Sequence, residues 1–153
     1  MKTPILETSR LWLKPLKEED APGAFLWTGD PKVSWYMRYE THESLEDTKQ
    51  WLREEEKQLD SDLLYDFGFH KKDSDELIGS GGLTFNQQQG IWELGCNLRR
   101  DCWNQGYGTE AAAAILSFAE NTLHIHRVMA RHAKDNAASG RVLEKNGFSF
   151  VRE

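Results

Sequence analysis

Apolar and polar residues alternate along the start of the chain in patterns that define its first elements. Over Ser9–Pro15, Leu11 and Leu13 alternate with the flanking Trp12 and Lys14, which predicts a first strand. Helix formers over Glu18–Trp27 predict a helix, whereas Asp30–Thr41 shows no clean period and is expected to form a short helix and a loop. A stronger helical pattern begins at Ser44 and is expected to end near Asp60, because a serine followed by acidic residues is typical of a helix start.

Three apolar, β-rich segments follow in the middle of the chain. They are Tyr65–His70, Leu77–Phe85 and Ile91–Leu98, and short polar tracts separate them. Consecutive strands joined by short turns pair in antiparallel fashion, so these segments predict an antiparallel sheet. The three glycines between positions 79 and 82 indicate a bulge or a close backbone approach in the middle strand.

The last third of the chain alternates between helical and strand patterns. A helix is predicted after Gly106 through Leu123, a strand over Arg127–Ala133, a helix over Asn136–Asn146 and a final strand over Phe148–Val151. The sequence shows no internal repeat and no linker. We therefore predict a single α+β domain over residues 1–153, with a mixed, mostly antiparallel central sheet flanked by helices.

Composition and charge exclude several classes of protein. The chain has 153 residues, 39% of them hydrophobic, which is enough for one domain with a continuous core. A net charge of −6 without a basic block argues against binding to nucleic acid or to an anionic membrane. The chain shows no signal peptide, so we expect a cytoplasmic location, with Cys96 and Cys102 as reduced thiols.

The most informative motif is the glycine-containing segment Trp103–Ala111, which follows a strand and opens a helix. Gly106 and Gly108 allow backbone N–H groups to turn inward, and the first turn of the helix adds unpaired donors and a partial positive charge. These features together predict a seat for a pyrophosphate. The alternative is a glycine-containing helix start that binds no ligand.

Three segments in this order resemble the GNAT superfamily of acetyl-CoA-dependent N-acetyltransferases, and in particular its RimL/RimJ-like branch that acts on ribosomal proteins. They are Glu93–Gly95, Trp103–Ala111, and Asn136–Ser139 followed by Leu143–Phe148. The resemblance implies the GNAT fold, acetyl-CoA as donor and direct transfer to a primary amine in a ternary complex. It suggests a protein N-terminal α-amine as acceptor, with a polyamine or an aminoglycoside as the alternative.

The same resemblance assigns roles to individual residues. It makes Ser139 the general acid toward the departing sulfur and Glu93 the general base, either directly or through a water. The alternatives are a serine that only caps its helix and a solvated strand carboxylate. The acceptor cleft is expected to include Trp35, Tyr36 and Arg38, although an aromatic cluster is just as often core packing. The expected acetyl-CoA contacts are Asn97, Leu98, Trp103, Asn104, Gln105, Gly106, Tyr107, Gly108, Thr109, Asn136 and Ser139. No metal is expected.

The sequence departs from the family pattern at two places. The wider superfamily often has arginine or glutamine three residues before the first glycine, where this chain has Trp103, so only the backbone part of the phosphate seat is expected to be retained. The family domain normally adds a strand after Phe148–Val151, whereas this chain stops at Glu153. We therefore expect a chain cut short at its C-terminus, with an exposed strand edge and poor activity.

Two other functional classes fit part of the motif. Gly106, Gly108 and Ala111 satisfy the spacing of a dinucleotide-binding fingerprint, but that fingerprint begins where a strand ends, and seven residues intervene after Leu98. The other class is a non-catalytic module that binds acetyl-CoA as a sensor or scaffold. A homodimer is compatible with either enzymatic or non-catalytic function.

Overall fold

The computed structural model describes residues 2–34 and 40–130. Its strands are β1 (Leu6–Glu7), β2 (Leu11–Pro15), β3 (Leu64–Lys71), β4 (Leu77–Asn86), β5 (Ile91–Leu98) and β6 (Val128–Ala130). Its α-helices are α1 (Ala21–Thr28), α2 (Pro31–Ser34), α3 (Leu45–Lys57) and α4 (Tyr107–Asn121), and 3₁₀ turns lie at Glu18–Asp20 and Arg100–Cys102. No helix within these two ranges is both long and apolar enough to cross a membrane.

The six strands form one sheet in their sequence order, from β1 to β6. Each neighbouring pair from β1 to β5 is antiparallel, as the short polar turns predict, and β5 and β6 are parallel. The parallel pair requires a crossover, which α4 supplies. The predicted α+β architecture is confirmed.

The predicted first strand is the second strand of the sheet. Leu6–Glu7 precedes it and pairs with Leu13 and Trp12. A two-residue strand is too short to show an alternating pattern, which is why the sequence prediction missed it. Helix α3 begins after Ser44 as predicted, because the Ser44 hydroxyl accepts a hydrogen bond from the Asp47 N–H while the Asp47 carboxylate accepts one from the Ser44 N–H.

The glycines of β4 lie where the backbones of the neighbouring strands β3 and β5 leave no room for a side chain. A side chain at Gly79 would stand 2.2 Å from the Asn97 carbonyl oxygen, and one at Gly82 only 1.9 Å from the Tyr65 carbonyl oxygen. The register of β3 against β4 also shifts between Phe69 and His70. Both interpretations of these glycines, a bulge and a close approach, are confirmed.

The main core lies between the sheet and α4. It contains Phe67 and Phe69 from β3, Leu83 from β4, Leu94 from β5 and Ile115 from α4, all of them buried. The opposite face of the sheet is covered by α1 and α3, which build two smaller apolar clusters. Packing on both faces of the sheet holds β5, and with it the start of the loop that follows β5, in place.

Candidate functional site

The loop between β5 and α4 leads into the predicted phosphate seat. Asn104 has φ +61° and Gly106 has φ +84°, so two left-handed residues flank Gln105. Gly106 is also the residue at which α4 begins, and no side chain caps the helix there. The start of α4 therefore lacks a side-chain cap from its N-cap residue and carries the positive end of the helix dipole.

The side chains of this loop are used inside the protein. The Trp103 indole N–H donates to the Leu98 carbonyl oxygen at 2.9 Å, and its ring packs against the apolar cluster that includes Trp27 and Leu77. The Gln105 amide donates to the Asp101 carbonyl oxygen at 2.8 Å. Because these side chains are turned away, the loop presents mainly its backbone to a ligand.

Arg10, from the turn between β1 and β2, holds the loop from its other side. Its guanidinium donates to the Gln105 carbonyl oxygen at 3.0 Å and to a carboxylate oxygen of Glu110 at 2.8 Å. It also lies over the ring of Tyr107, 4.2 Å from the ring centre. The backbone N–H of Arg10 and the hydroxyl of Thr8 donate to the second Glu110 oxygen.

These contacts keep Glu110 ionised. Burial alone would raise the pKa of Glu110, but the hydrogen bonds from Thr8 and Arg10 outweigh it and hold the pKa below its ordinary value. The carboxylate in the first turn of α4 is thus neutralised by Arg10. Arg10 therefore offsets the negative charge that Glu110 would otherwise present to an anion at the helix start.

Strand β5 carries the predicted base on the face opposite α4. Glu93, Gly95 and Asn97 alternate onto this face. The Glu93 carboxylate accepts a hydrogen bond from the Asn86 side chain at 3.3 Å, and Gly95 is exposed, with open space where a side chain would be. An open gap over Gly95 therefore lies along β5, between the Glu93 carboxylate and the Asn97 side-chain amide.

Asn97 has an unusual environment for a polar side chain. Its Oδ1 atom is buried and accepts no hydrogen bond within the described part of the chain. An unpaired buried oxygen is costly, and in native proteins such atoms often await a water or a ligand. Asn97 was predicted as a cofactor contact on the basis of its backbone, so this side-chain feature was not anticipated.

The remaining predicted site residues lie outside the described ranges. They are Ser139 and Asn136 on the donor side and Trp35, Tyr36 and Arg38 on the acceptor side. Their roles stay predictions.

The two cysteines are free thiols, as predicted. Burial raises the pKa of Cys96 to about 12, with the nearby Asp66 carboxylate adding to the effect. Burial also raises the pKa of Cys102. Since the thiolate is the nucleophilic form, these shifts argue against either cysteine as a nucleophile.

A carboxyl pair beneath α3 was missed by the sequence prediction. Asp66 of β3 and Glu55 of α3 line a small cleft with Thr3 and Leu16. Burial and the neighbouring Glu55 carboxylate raise the pKa of Asp66 well above its ordinary value, and Glu55 also accepts a hydrogen bond from the Trp51 indole at 3.0 Å. The signal in the sequence was a single acid inside the apolar segment Tyr65–His70.

This pair makes stability depend on pH. Because the folded-state pKa of Asp66 is raised, the native protein binds more protons than the unfolded chain above about pH 4, and the free energy of unfolding falls as pH rises through the raised pKa. We expect Asp66→Asn to increase the free energy of unfolding by about 1 kcal/mol or more at pH 8, and to give no gain near pH 3. Urea denaturation at both pH values measures this. Asp73→Asn, at an exposed turn carboxylate, is the matched control, and an equal gain in both variants would contradict the assignment.

Comparison with known proteins identifies the class to which this fold and loop belong. Residues 10–149 match the family described as the acetyltransferase (GNAT) domain, so the chain belongs to the GNAT family and is an acyltransferase. GNAT acetyltransferases use acetyl-CoA, which confirms the predicted donor.

Individual relatives agree with this assignment. The chain is 30% identical over 146 residues to the uncharacterized N-acetyltransferase YoaA of Bacillus subtilis, covering 95% of this chain and 82% of the relative. It is 32% identical over 85 residues to the ribosomal protein uS5 alanine N-acetyltransferase of Escherichia coli, covering 54% and 43%. The crystal structure of a GNAT-family acetyltransferase from Bacillus anthracis superposes with a TM-score of 0.82 at 24% identity, over 94% of this chain and 82% of that one.

Proposed function

We propose that this acyltransferase moves the acetyl group of acetyl-CoA to the α-amine of a protein N-terminus, directly and within a ternary complex. The observation that carries the proposal is the backbone seat at the start of α4, where no side chain caps the helix, at the end of the loop that follows β5. The likeness to a ribosomal-protein alanine N-acetyltransferase over about half the chain supports this class of acceptor.

On the donor side, the main chain of residues 104–109 holds the diphosphate of acetyl-CoA. The phosphates lie at the N-terminus of α4, where N–H groups and the helix dipole favour negative charge. The pantetheine arm then runs along the end of β5, with Asn97 and Leu98 beside it. Asn136 and Ser139 complete the donor site, as the family resemblance implies.

On the acceptor side, the amine approaches the open gap over Gly95. Glu93 lies two residues before Gly95 on the same face, with its carboxylate fixed by Asn86. The acceptor's ammonium group is attracted by this carboxylate, which takes up its proton directly or through a water.

The transfer step needs a neutral amine and a stabilised leaving group. The amine nitrogen attacks the carbonyl carbon, the C–S bond breaks and the sulfur leaves with a proton from Ser139. Glu93 has by then released to solvent the proton that it took from the ammonium group, so Glu93 or its water accepts the proton of the acetylated nitrogen, and Ser139 regains a proton from solvent. A neighbouring backbone N–H that polarises the thioester carbonyl contributes a few kcal/mol, about the value measured for a single oxyanion donor.

An α-amine suits this site better than a lysine side chain. The ordinary pKa of an α-amine is about 7.7–8.0, so roughly a tenth to a fifth is already neutral at pH 7, whereas less than about one lysine in a thousand is neutral. One partly exposed carboxylate provides only modest base strength. That is enough for an α-amine and insufficient for an ordinary lysine.

A thiol-release screen tests the proposed acceptor. We expect CoA release with peptides that have a free N-terminus, and none with the same peptides acetylated at the N-terminus but containing an internal lysine. Polyamines and aminoglycosides form the second arm. Release only in that arm would replace the protein acceptor by a small amine, and acetyl-CoA binding without release toward any amine would contradict the catalytic proposal.

Replacing Glu93 by glutamine tests the base. We expect Glu93→Gln to lower kcat about tenfold or more near pH 7 while the Kd for CoA changes less than a few-fold. The loss should shrink above pH 8, because the acceptor α-amine is then mostly neutral without help. Steady-state thiol release across pH and calorimetry with CoA measure both quantities. An unchanged kcat would remove Glu93 from the mechanism.

A further inference from the structure

Arg10 is placed 95 residues before the loop it contacts, and no sequence motif connects them. It nevertheless contacts the chain on both sides of Gly106, through the Gln105 carbonyl oxygen and the face of the Tyr107 ring, and it pairs with Glu110 one turn later. Its side chain is 43% exposed, so the apolar core does not account for its position.

The contact with Gln105 determines which way the next peptide N–H points. In a trans peptide the C=O of one residue and the N–H of the next point in opposite directions. Because Arg10 binds the Gln105 carbonyl oxygen, the Gly106 N–H must point away from Arg10. No described residue accepts a hydrogen bond from that N–H.

The contact with Glu110 has an electrostatic effect at the same place. Without Arg10, the Glu110 carboxylate would remain in the first turn of α4 with only Thr8 as its side-chain donor. A free carboxylate there would repel an incoming diphosphate, since the two charges would lie within a few ångströms in a partly buried setting. The Arg10 guanidinium donates to Glu110 and to the Gln105 carbonyl oxygen, and both bonds shape the seat.

We propose that Arg10 is a positioning residue for the diphosphate of acetyl-CoA: it turns the Gly106 N–H outward through the Gln105 carbonyl and neutralises Glu110 behind the seat. This inference rests on the proposed location of the donor and adds a residue from the opposite end of the chain. On this proposal, Arg10 affects the binding of the diphosphate of CoA and does not affect the binding of the pantetheine arm.

Binding of two probes distinguishes positioning from a purely structural role. We expect Arg10→Ala to raise the Kd for CoA about tenfold or more, because an aligned N–H is lost and a carboxylate is unmasked. The Kd for pantetheine, which has no diphosphate, should stay within about twofold of wild type. Calorimetry on the full chain measures both constants. Lys14→Ala, which removes a partly exposed cation paired with Asp75, is the control for net charge and should leave both constants unchanged.

Arg10→Lys provides a second variant that preserves the charge opposite Glu110. Lysine offers a single ammonium group in place of the fork that reaches Glu110 and Gln105 together, so we expect a smaller increase in the Kd for CoA, about threefold. Equal weakening of CoA and pantetheine would show a structural role and overturn the proposal, as would an unchanged Kd for CoA in both variants. If the wild-type protein bound CoA no more tightly than pantetheine, the diphosphate seat itself would be wrong.

Discussion

Gly106→Val is expected to raise the Kd for acetyl-CoA at least about a hundredfold, the largest functional effect of any substitution considered. Gly106 has φ +84°, a conformation that β-branched residues avoid, and its Cβ would stand 3.2 Å from the Arg10 guanidinium. The new side chain would push against Arg10 and force the backbone out of the conformation that turns the Gly106 N–H toward the phosphates. Isothermal calorimetry with acetyl-CoA measures the loss.

The turn between β4 and β5 supplies a matched control. Gly90 has φ +64°, and a side chain there would meet no atom within 4 Å. Gly90→Val therefore introduces similar backbone strain, about 1–2 kcal/mol, without approaching the loop. We expect it to lower the free energy of unfolding while the Kd for acetyl-CoA stays near wild type. Equal losses of affinity in the two variants would show that backbone strain causes the effect, and would contradict the location of the phosphate seat at Gly106.

Gly82→Ala is expected to lower the free energy of unfolding by more than about 4 kcal/mol, which would place it among the exceptional substitutions. A methyl group there would lie 1.9 Å from the Tyr65 carbonyl oxygen and 2.8 Å from the Asp66 Cα atom. Both neighbours are backbone atoms of β3, so no side-chain rotation can relieve the clash. The strands would have to separate, which would break the hydrogen bonds in the centre of the sheet.

Gly95 is the control for this effect, because it lies in the next strand and pairs directly with Gly82. A side chain at Gly95 would meet open space, so Gly95→Ala should change the free energy of unfolding by less than about 1 kcal/mol. Urea denaturation of the two variants gives the comparison. Similar unfolding free energies would mean that β3 and β4 are not as close as described.

Much of the fold was predictable because its elements have strong local patterns. Strands β3 to β5 are apolar segments joined by polar turns, and α3 begins at a capping box whose residues are close together in sequence. Strand β1 was not predictable, since its two residues acquire their conformation only from pairing with Trp12 and Leu13. The conformation of such a short segment is determined by tertiary pairing, and a periodic pattern of apolar residues cannot predict it.

The candidate site was predictable to the extent that it is local. The glycine spacing at Gly106 marks the loop and the helix start together, which is why the seat could be located from a few residues. Arg10 could not be found in this way, because its partners are about a hundred residues away. The pairing of Asp66 with Glu55 was missed for the same reason: Asp66 stands out as an acid inside an apolar segment, but its partner comes from a helix eleven residues earlier in the chain.

The start of α4, where no side chain of Gly106 caps the helix, links CoA binding to the stability of the folded protein. Gly106 has no side chain to cap α4, so a diphosphate bound there would cap the helix and stabilise the folded protein. At a CoA concentration a hundred times its Kd, this linkage adds about 2.7 kcal/mol to the native state. The melting temperature would then rise with the concentration of CoA, and the protein would resist heat and proteolysis best when CoA, free or acetylated, is abundant.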